Sequence, residues 1–202
     1  MKKTVCMVLT IISIAALLTG CPKGKPHVHN DTYEWVIKGD ILVSFPGASE
    51  EQKAAMNAYV EDFKKAYPKV NVFVDYPEEI SEEDLVNSVL GILDVLVLPE
   101  DQVYRCAAEL ITLMPLEYYG KAFGVDIENM YDGVENGMVG SHLYYIRMPQ
   151  FSDSSGDGIP VGLAVYNRSY KPDAAAAFAL FFYTPEVPKD GIWTFTEQII
   201  ID

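Results

Sequence analysis

Between Gly39 and Leu110 the chain alternates short apolar runs with amphipathic helical stretches, and this alternation predicts an α/β fold, a parallel-type sheet flanked by helices. Three observations carry the prediction. The element order reads β-α-β-α-β-α. The intervening helices are long enough to make right-handed crossovers between parallel strands. The run Ile92 to Leu98 (ILDVLVL) is apolar almost throughout, as a central strand covered on both faces has to be.

The first strand is Asp40 to Phe45 (DILVSF), closed by the turn residues Pro46-Gly47. Ser49 then opens Ser-Glu-Glu-Gln, a capping box with Gln52 at the third helical position, and Glu50 and Glu51 suit the positive end of the helix dipole. Met56, Tyr59, Val60, Phe63 and Tyr67 recur at helical spacing and form one apolar stripe, on a helix that Pro68 stops. Val70 to Tyr76 (VNVFVDY) alternates apolar and polar residues as a second strand does. Ser81 caps a helix of about ten residues that Gly91 ends through a left-handed backbone. After the third strand, Pro99-Glu100-Asp101 begins another helix, with proline near its start. Cys106 sits inside that helix among Val103, Ala107 and Leu110, where a buried inert thiol is expected.

Beyond Leu110 the signals weaken. Val125 to Gly140 has room for a short helix, while Leu143 to Met148 and Ile159 to Tyr166 look like strands. Phe151 to Gly158 lies between them as a polar turn. Its Asp153-x-Ser155-x-Asp157-Gly158 imitates the opening of a calcium loop, but Ala164 stands where the bidentate glutamate is needed. Pro172 to Phe182 is an alanine-rich helix, and Ile192 to Ile201 is too mixed to assign.

The amino end has a different character. Two lysines precede an uncharged run from Val5 to Leu18, shorter than the roughly 20 residues that span a bilayer, and small residues follow it. Residues 1–20 therefore read as an export signal. Leu18-Thr19-Gly20-Cys21 resembles the lipobox of bacterial lipoproteins, which implies that the Cys21 thiol is acylated and anchors the mature chain to a membrane. Residues 21–36, rich in proline and polar side chains up to Glu34, are expected to be a flexible lipidated tether. His27 and His29 lie in it without a rigid set of further ligands, so no metal is expected there.

Once Cys6 leaves with the signal and Cys21 carries lipid, Cys106 is alone and no internal disulfide can form. Two of the 15 basic residues lie in the signal and all 29 acidic residues follow it, which leaves 13 against 29, a net charge of −16. Such a surface repels nucleic acid. About 180 residues remain, enough for one domain over 37–202.

Several ordered features resemble the N-terminal part of extracellular solute-binding proteins of ABC importers, in the group that takes sugars and oligosaccharides. They are the lipobox, the strand DILVSFPG, the helix ending Phe63-x-x-x-Tyr67-Pro68, the strand beginning at Asp94, Pro160 before a strand ending Tyr166-Asn167, and Trp193-Thr194 ahead of a helix. The resemblance implies the first lobe of a periplasmic-binding-protein-like fold, with a second lobe missing or incomplete. It also implies export to the outer face of the cytoplasmic membrane or the periplasm, a sugar as solute, and an ABC permease as partner.

A lobe of this kind binds at the carboxyl ends of its parallel strands. The candidate ligand-binding residues there are Phe45, Pro46, Gly47, Tyr76, Glu100, Asp101 and Gln102: Phe45 to stack on a sugar ring, the polar groups to meet hydroxyls. Tyr144, Tyr145 and Arg147 form a second cluster, readable as cleft lining or as packing with surface charge; from it Tyr144 and Arg147 join the candidates. Helix-terminus and turn chemistry accounts for the same strand-end residues equally well. No enzyme signature and no cofactor motif is present. His142, the one histidine outside the tether, has no nucleophile elbow beside it. A surface lipoprotein acting as a structural or protein-interaction module is the alternative function.

Overall fold

The computed structural model describes residues 27–87, 93–125, 137–148, 151, 160–184 and 186–201. Its strands are β1 (His27–Val36), β2 (Gly39–Ser44), β3 (Val70–Asp75), β4 (Val95–Pro99), β5 (Met138–Val139), β6 (His142–Leu143), β7 (Tyr145–Arg147), β8 (Val161–Val165) and β9 (Ile192–Ile201). Its helices are α1 (Glu50–Ala66), α2 (Glu82–Asn87), α3 (Glu100–Ala108), α4 (Glu117–Ala122) and α5 (Pro172–Leu180). The chain divides into two compact units, Met1–Glu34 with Thr194–Asp202, and Trp35–Trp193. The layered sheet lies wholly in the second.

That sheet has five strands in the order β3-β2-β4-β8-β7, with β4 in the middle, where its apolar sequence puts it. β2 pairs in parallel with both β3 and β4, as the β-α-β-α-β order predicts. β8 pairs antiparallel with β4, and β7 antiparallel with β8, so the sheet is mixed and β7 points the same way as β4. Both antiparallel pairings of this parallel-type sheet are made by β8, which starts at the carboxyl edge where β7 ends.

Alternation along β4 and β8 separates two apolar layers. Val95, Val97, Leu163 and Val165 face one side with α1 and α5, while Leu96, Leu98 and Ala164 face the other with α2 and α3. On α1 the predicted stripe is buried: Met56, Tyr59, Val60 and Phe63, followed by Tyr67 at the cap. The Ser49 capping box is complete, with the Ser49 hydroxyl accepting from Gln52 N and Gln52 Oε1 accepting from Ser49 N at 2.8 Å. Ser81 and Asp84 exchange the same kind of bonds at the start of α2. Gly91, its expected stop, lies outside the described residues, as do Cys21 and the segment from Asp153 to Gly158.

Three other expectations change. Residues 27–36, read as the outer part of a tether, form β1 and pair with β9. Residues Ile192–Ile201 form β9, so a strand rather than a helix follows Trp193-Thr194. The single strand expected from Leu143 to Met148 is divided at Tyr144, whose N–H donates to the Gly137 carbonyl at 2.8 Å. Gly137 sits at φ +81 in close contact with β7, and only glycine tolerates that position.

Candidate functional site

Because β2, β3, β4 and β7 all point one way, their carboxyl ends reach one edge of the sheet, and the start of the antiparallel β8 joins them there. Backbone bonds tie these termini together. Phe45 N donates to Asp75 O at 2.9 Å, Gly47 N to Pro77 O at 2.8 Å, and Glu100 N to Pro160 O at 2.8 Å. Met148 N donates to Val161 O at 2.9 Å, and Gln52 Nε2 to Phe151 O at 2.8 Å.

The polar centre of this edge is Glu100. It begins α3 directly after β4, and Arg147 ends β7, so two strand ends 47 residues apart in sequence meet here. Arg147 Nη2 donates to both carboxylate oxygens of Glu100 at 2.5 Å. The Tyr145 hydroxyl donates to Glu100 Oε1 at 3.0 Å. The two charged side chains are 32% and 19% exposed, so the pair is sheltered but reachable from solvent. Burial, reinforced by the Glu100 charge, pushes the Tyr145 hydroxyl up to about 12. The phenol therefore stays a donor to the carboxylate at any physiological pH.

Asp101 and Gln102 lie beside this pair on the exposed first turn of α3. Pro46 and Gly47 form the neighbouring turn, where Gly47 takes φ +64. Phe45 is a correction: it is 2% exposed, and its ring packs against Tyr76 and Phe151 at 6.4 and 6.1 Å, so no face is open to stack on a sugar. Tyr76 is half-buried. Its hydroxyl reaches Asn57 Oδ1 at 3.3 Å, and Lys53 Nζ lies over the ring at 5.7 Å, so it stands on the rim with its ring already partnered. Tyr144 lies just before β7, next to His142, and does not join the cluster.

The link between Glu100 and the pair Tyr145 and Arg147 was not visible in sequence, where the two groups appear as separate candidates. Lys53 and Asn57 were missed altogether, since both read as solvent positions of a surface helix. The i, i+2 spacing of Tyr145 and Arg147 within a strand was the one available signal, because it puts both on the same face.

Elsewhere, His142 Nδ1 lies 3.1 Å from Glu117 Oε1, and that carboxylate also accepts from Leu143 N at 2.6 Å. Cys106 is buried, and burial raises its thiol pKa. Asp94, buried at the start of β4, accepts from Leu42 N at 2.9 Å and from Ser169 Oγ. That residue fastens β2 and the segment after β8 at the opposite edge. Among the described residues, no group of three or more His, Cys, Asp and Glu side chains is placed to hold a metal ion.

No family model matches the chain, and no curated protein does. Part of the chain is similar to several solved structures. One is an extracellular solute-binding protein family 1 member from Alicyclobacillus acidocaldarius, 23% identical over 55% of this chain and 28% of that one, with a TM-score of 0.43. A second is the GacH receptor of Streptomyces glaucescens, solved unliganded and with acarbose, 19% identical over 55% of this chain and 29% of its own, TM-score 0.39. A third is the maltose/maltodextrin-binding domain MalE from Bdellovibrio bacteriovorus, solved with maltotriose, 20% identical over 54% and 28%, TM-score 0.40. The chain thus matches less than a third of the length of each of these proteins.

Proposed function

We propose that this chain is an exported solute-binding component of an ABC import system, held to the membrane by lipid on Cys21. It captures a small hydroxylated solute, a carbohydrate, without covalent chemistry and passes it to a permease. The observation that carries the reading is the gathering of four strand ends and the start of β8 on one edge, around Glu100, Arg147 and the exposed Asp101 and Gln102. Each sugar hydroxyl both donates and accepts, so a carboxylate and a guanidinium side by side meet it on both counts. Pro46, Gly47 and Tyr76 form the adjoining rim.

The sheet edge supplies one wall, and a small ligand is held well only when most of its surface is enclosed. Binding by this wall alone is accordingly weak. Calorimetry of the full-length protein against a panel of neutral mono- and oligosaccharides tests the reading, and silence towards every sugar at millimolar concentration refutes it. The lipid is tested separately: Cys21→Ala is expected to move the protein from the membrane fraction to the soluble exported fraction.

A second reading, a protein-interaction module without transport, has one observation in its favour. Phe73 is 56% exposed on β3, the outer strand of the sheet. If Phe73→Ser removes an association with another envelope protein while sugars stay silent, this second reading holds.

A further inference from the structure

The contact between Arg147 and Glu100 has a further consequence, which rests on the proposed solute-binding role. Both oxygens of the carboxylate accept from a single nitrogen of the guanidinium, Nη2, and Tyr145 adds a third bond to Oε1. The two charges thus cancel locally, and neither is available for a full ion pair with a solute without breaking the contact between them. Breaking it is costly, because the side chains are only 19% and 32% exposed and a lone charge there loses its partner without regaining full hydration.

A solute bearing a carboxylate reaches the Nη1 hydrogens of Arg147 only beside Glu100, a like charge that already neutralises the guanidinium, and gains a full ion pair with Arg147 only by displacing Glu100. Asp101 next door and the overall charge of −14 repel it further. A solute bearing an ammonium meets the mirror problem at Arg147. An uncharged hydroxyl breaks nothing: it donates to the remaining lone pairs of Glu100 and accepts from the guanidinium hydrogens on Nη1, which the pair leaves unused. We propose that the Arg147–Glu100 pair, braced by Tyr145, sets the charge selectivity of the carboxyl-edge site, admitting neutral hydroxylated solutes and rejecting acidic and amino sugars.

The test uses the full-length protein and matched sugars: glucose, galactose, mannose and their disaccharides, then the uronate and the amino-sugar counterpart of each. The wild type is expected to prefer neutral sugars by tenfold or more, about 1.4 kcal/mol. Glu100→Gln frees the guanidinium and is expected to shift the preference at least tenfold towards the uronate. Arg147→Gln shifts it towards the amino sugar, and the exchange E100R/R147E restores neutral preference. Near-UV circular dichroism identifies variants that keep the fold. A folded Glu100→Gln protein with the wild-type ratio of neutral to uronate affinity overturns the inference while leaving the solute-binding role intact. Should Glu100→Gln not fold, an exchange variant that binds charged and neutral sugars alike overturns it equally. A wild type silent towards all neutral sugars refutes the underlying role and the selectivity with it.

Discussion

Tyr59 illustrates how single residues hold this molecule. Its ring meets Phe151, Phe178 and Phe181 edge-on at 5.1 to 5.7 Å, and its hydroxyl donates to the Phe178 carbonyl at 2.6 Å, joining α1 to α5. Tyr59→Phe keeps the ring and loses this bond, while the Phe178 carbonyl still accepts from Phe181 N, so a loss of about 0.5–1.5 kcal/mol in urea unfolding is expected. Gly137 is less tolerant. A Cβ there would lie 1.8 Å from the Tyr145 carbonyl oxygen, which is backbone and cannot swing away. Gly137→Ala should cost about 2–4 kcal/mol and, by shifting Tyr145, weaken any solute binding as well. Residue chemistry was only partly legible in sequence. Strand order alone puts Glu100, Asp101 and Gln102 at the carboxyl edge of the sheet, and it equally suggests Phe45 as a platform, a ring that packing buries. An aromatic at a strand end serves core or ligand equally well until the neighbours across the sheet are known.

At the scale of elements, periodicity and capping did most of the work. Helix α1 was readable from its stripe and from Ser49, because both signals lie within one stretch of chain. Ser49→Ala should cost about 1 kcal/mol by thermal or urea unfolding. Gln52→Ala should cost more, since Gln52 also donates to Phe151 O across the edge. Of the short elements only β6 and β7 are legible, as the single strand expected from Leu143 to Met148. Strands β5, β6 and β7 hold two or three residues each, too few for any period, and exist through pairing with one another or with β8. Helix α4 has six residues, includes a glycine and lacks a side-chain cap, so nothing local announces it. Strands β1 and β9 pair across most of the chain length, a contact that composition near His27 argued against.

For the molecule as a whole, alkaline pH exposes how its tyrosines are buried. Burial pushes Tyr67 and Tyr145 each up to about 12, and it raises Tyr59 and Tyr119 as well. Their ordinary value is about 10. The unfolded chain therefore loses these protons first, so the stabilisation is complete below about pH 10 and drains away as pH climbs towards 12. Urea midpoints should be flat from pH 8 to 9.5 and fall steeply above pH 10, with Tyr67→Phe flattening part of the decline. A midpoint unchanged up to pH 11.5 would contradict the buried state of these phenols.

The amino-acid order by itself determined the layered α/β class, the parallel β2, β3 and β4 core and the central place of β4. Periodicity, caps and strand order are local or sequential properties, and a sheet of this type leaves them little freedom. Tertiary structure alone decided the antiparallel turn of β8, the pairing of β1 with β9, the burial of Phe45 and the union of Glu100 with Arg147 and Tyr145. Each of these is a contact between segments far apart in the chain, and its energy comes from the fit of two surfaces rather than from either residue run taken alone.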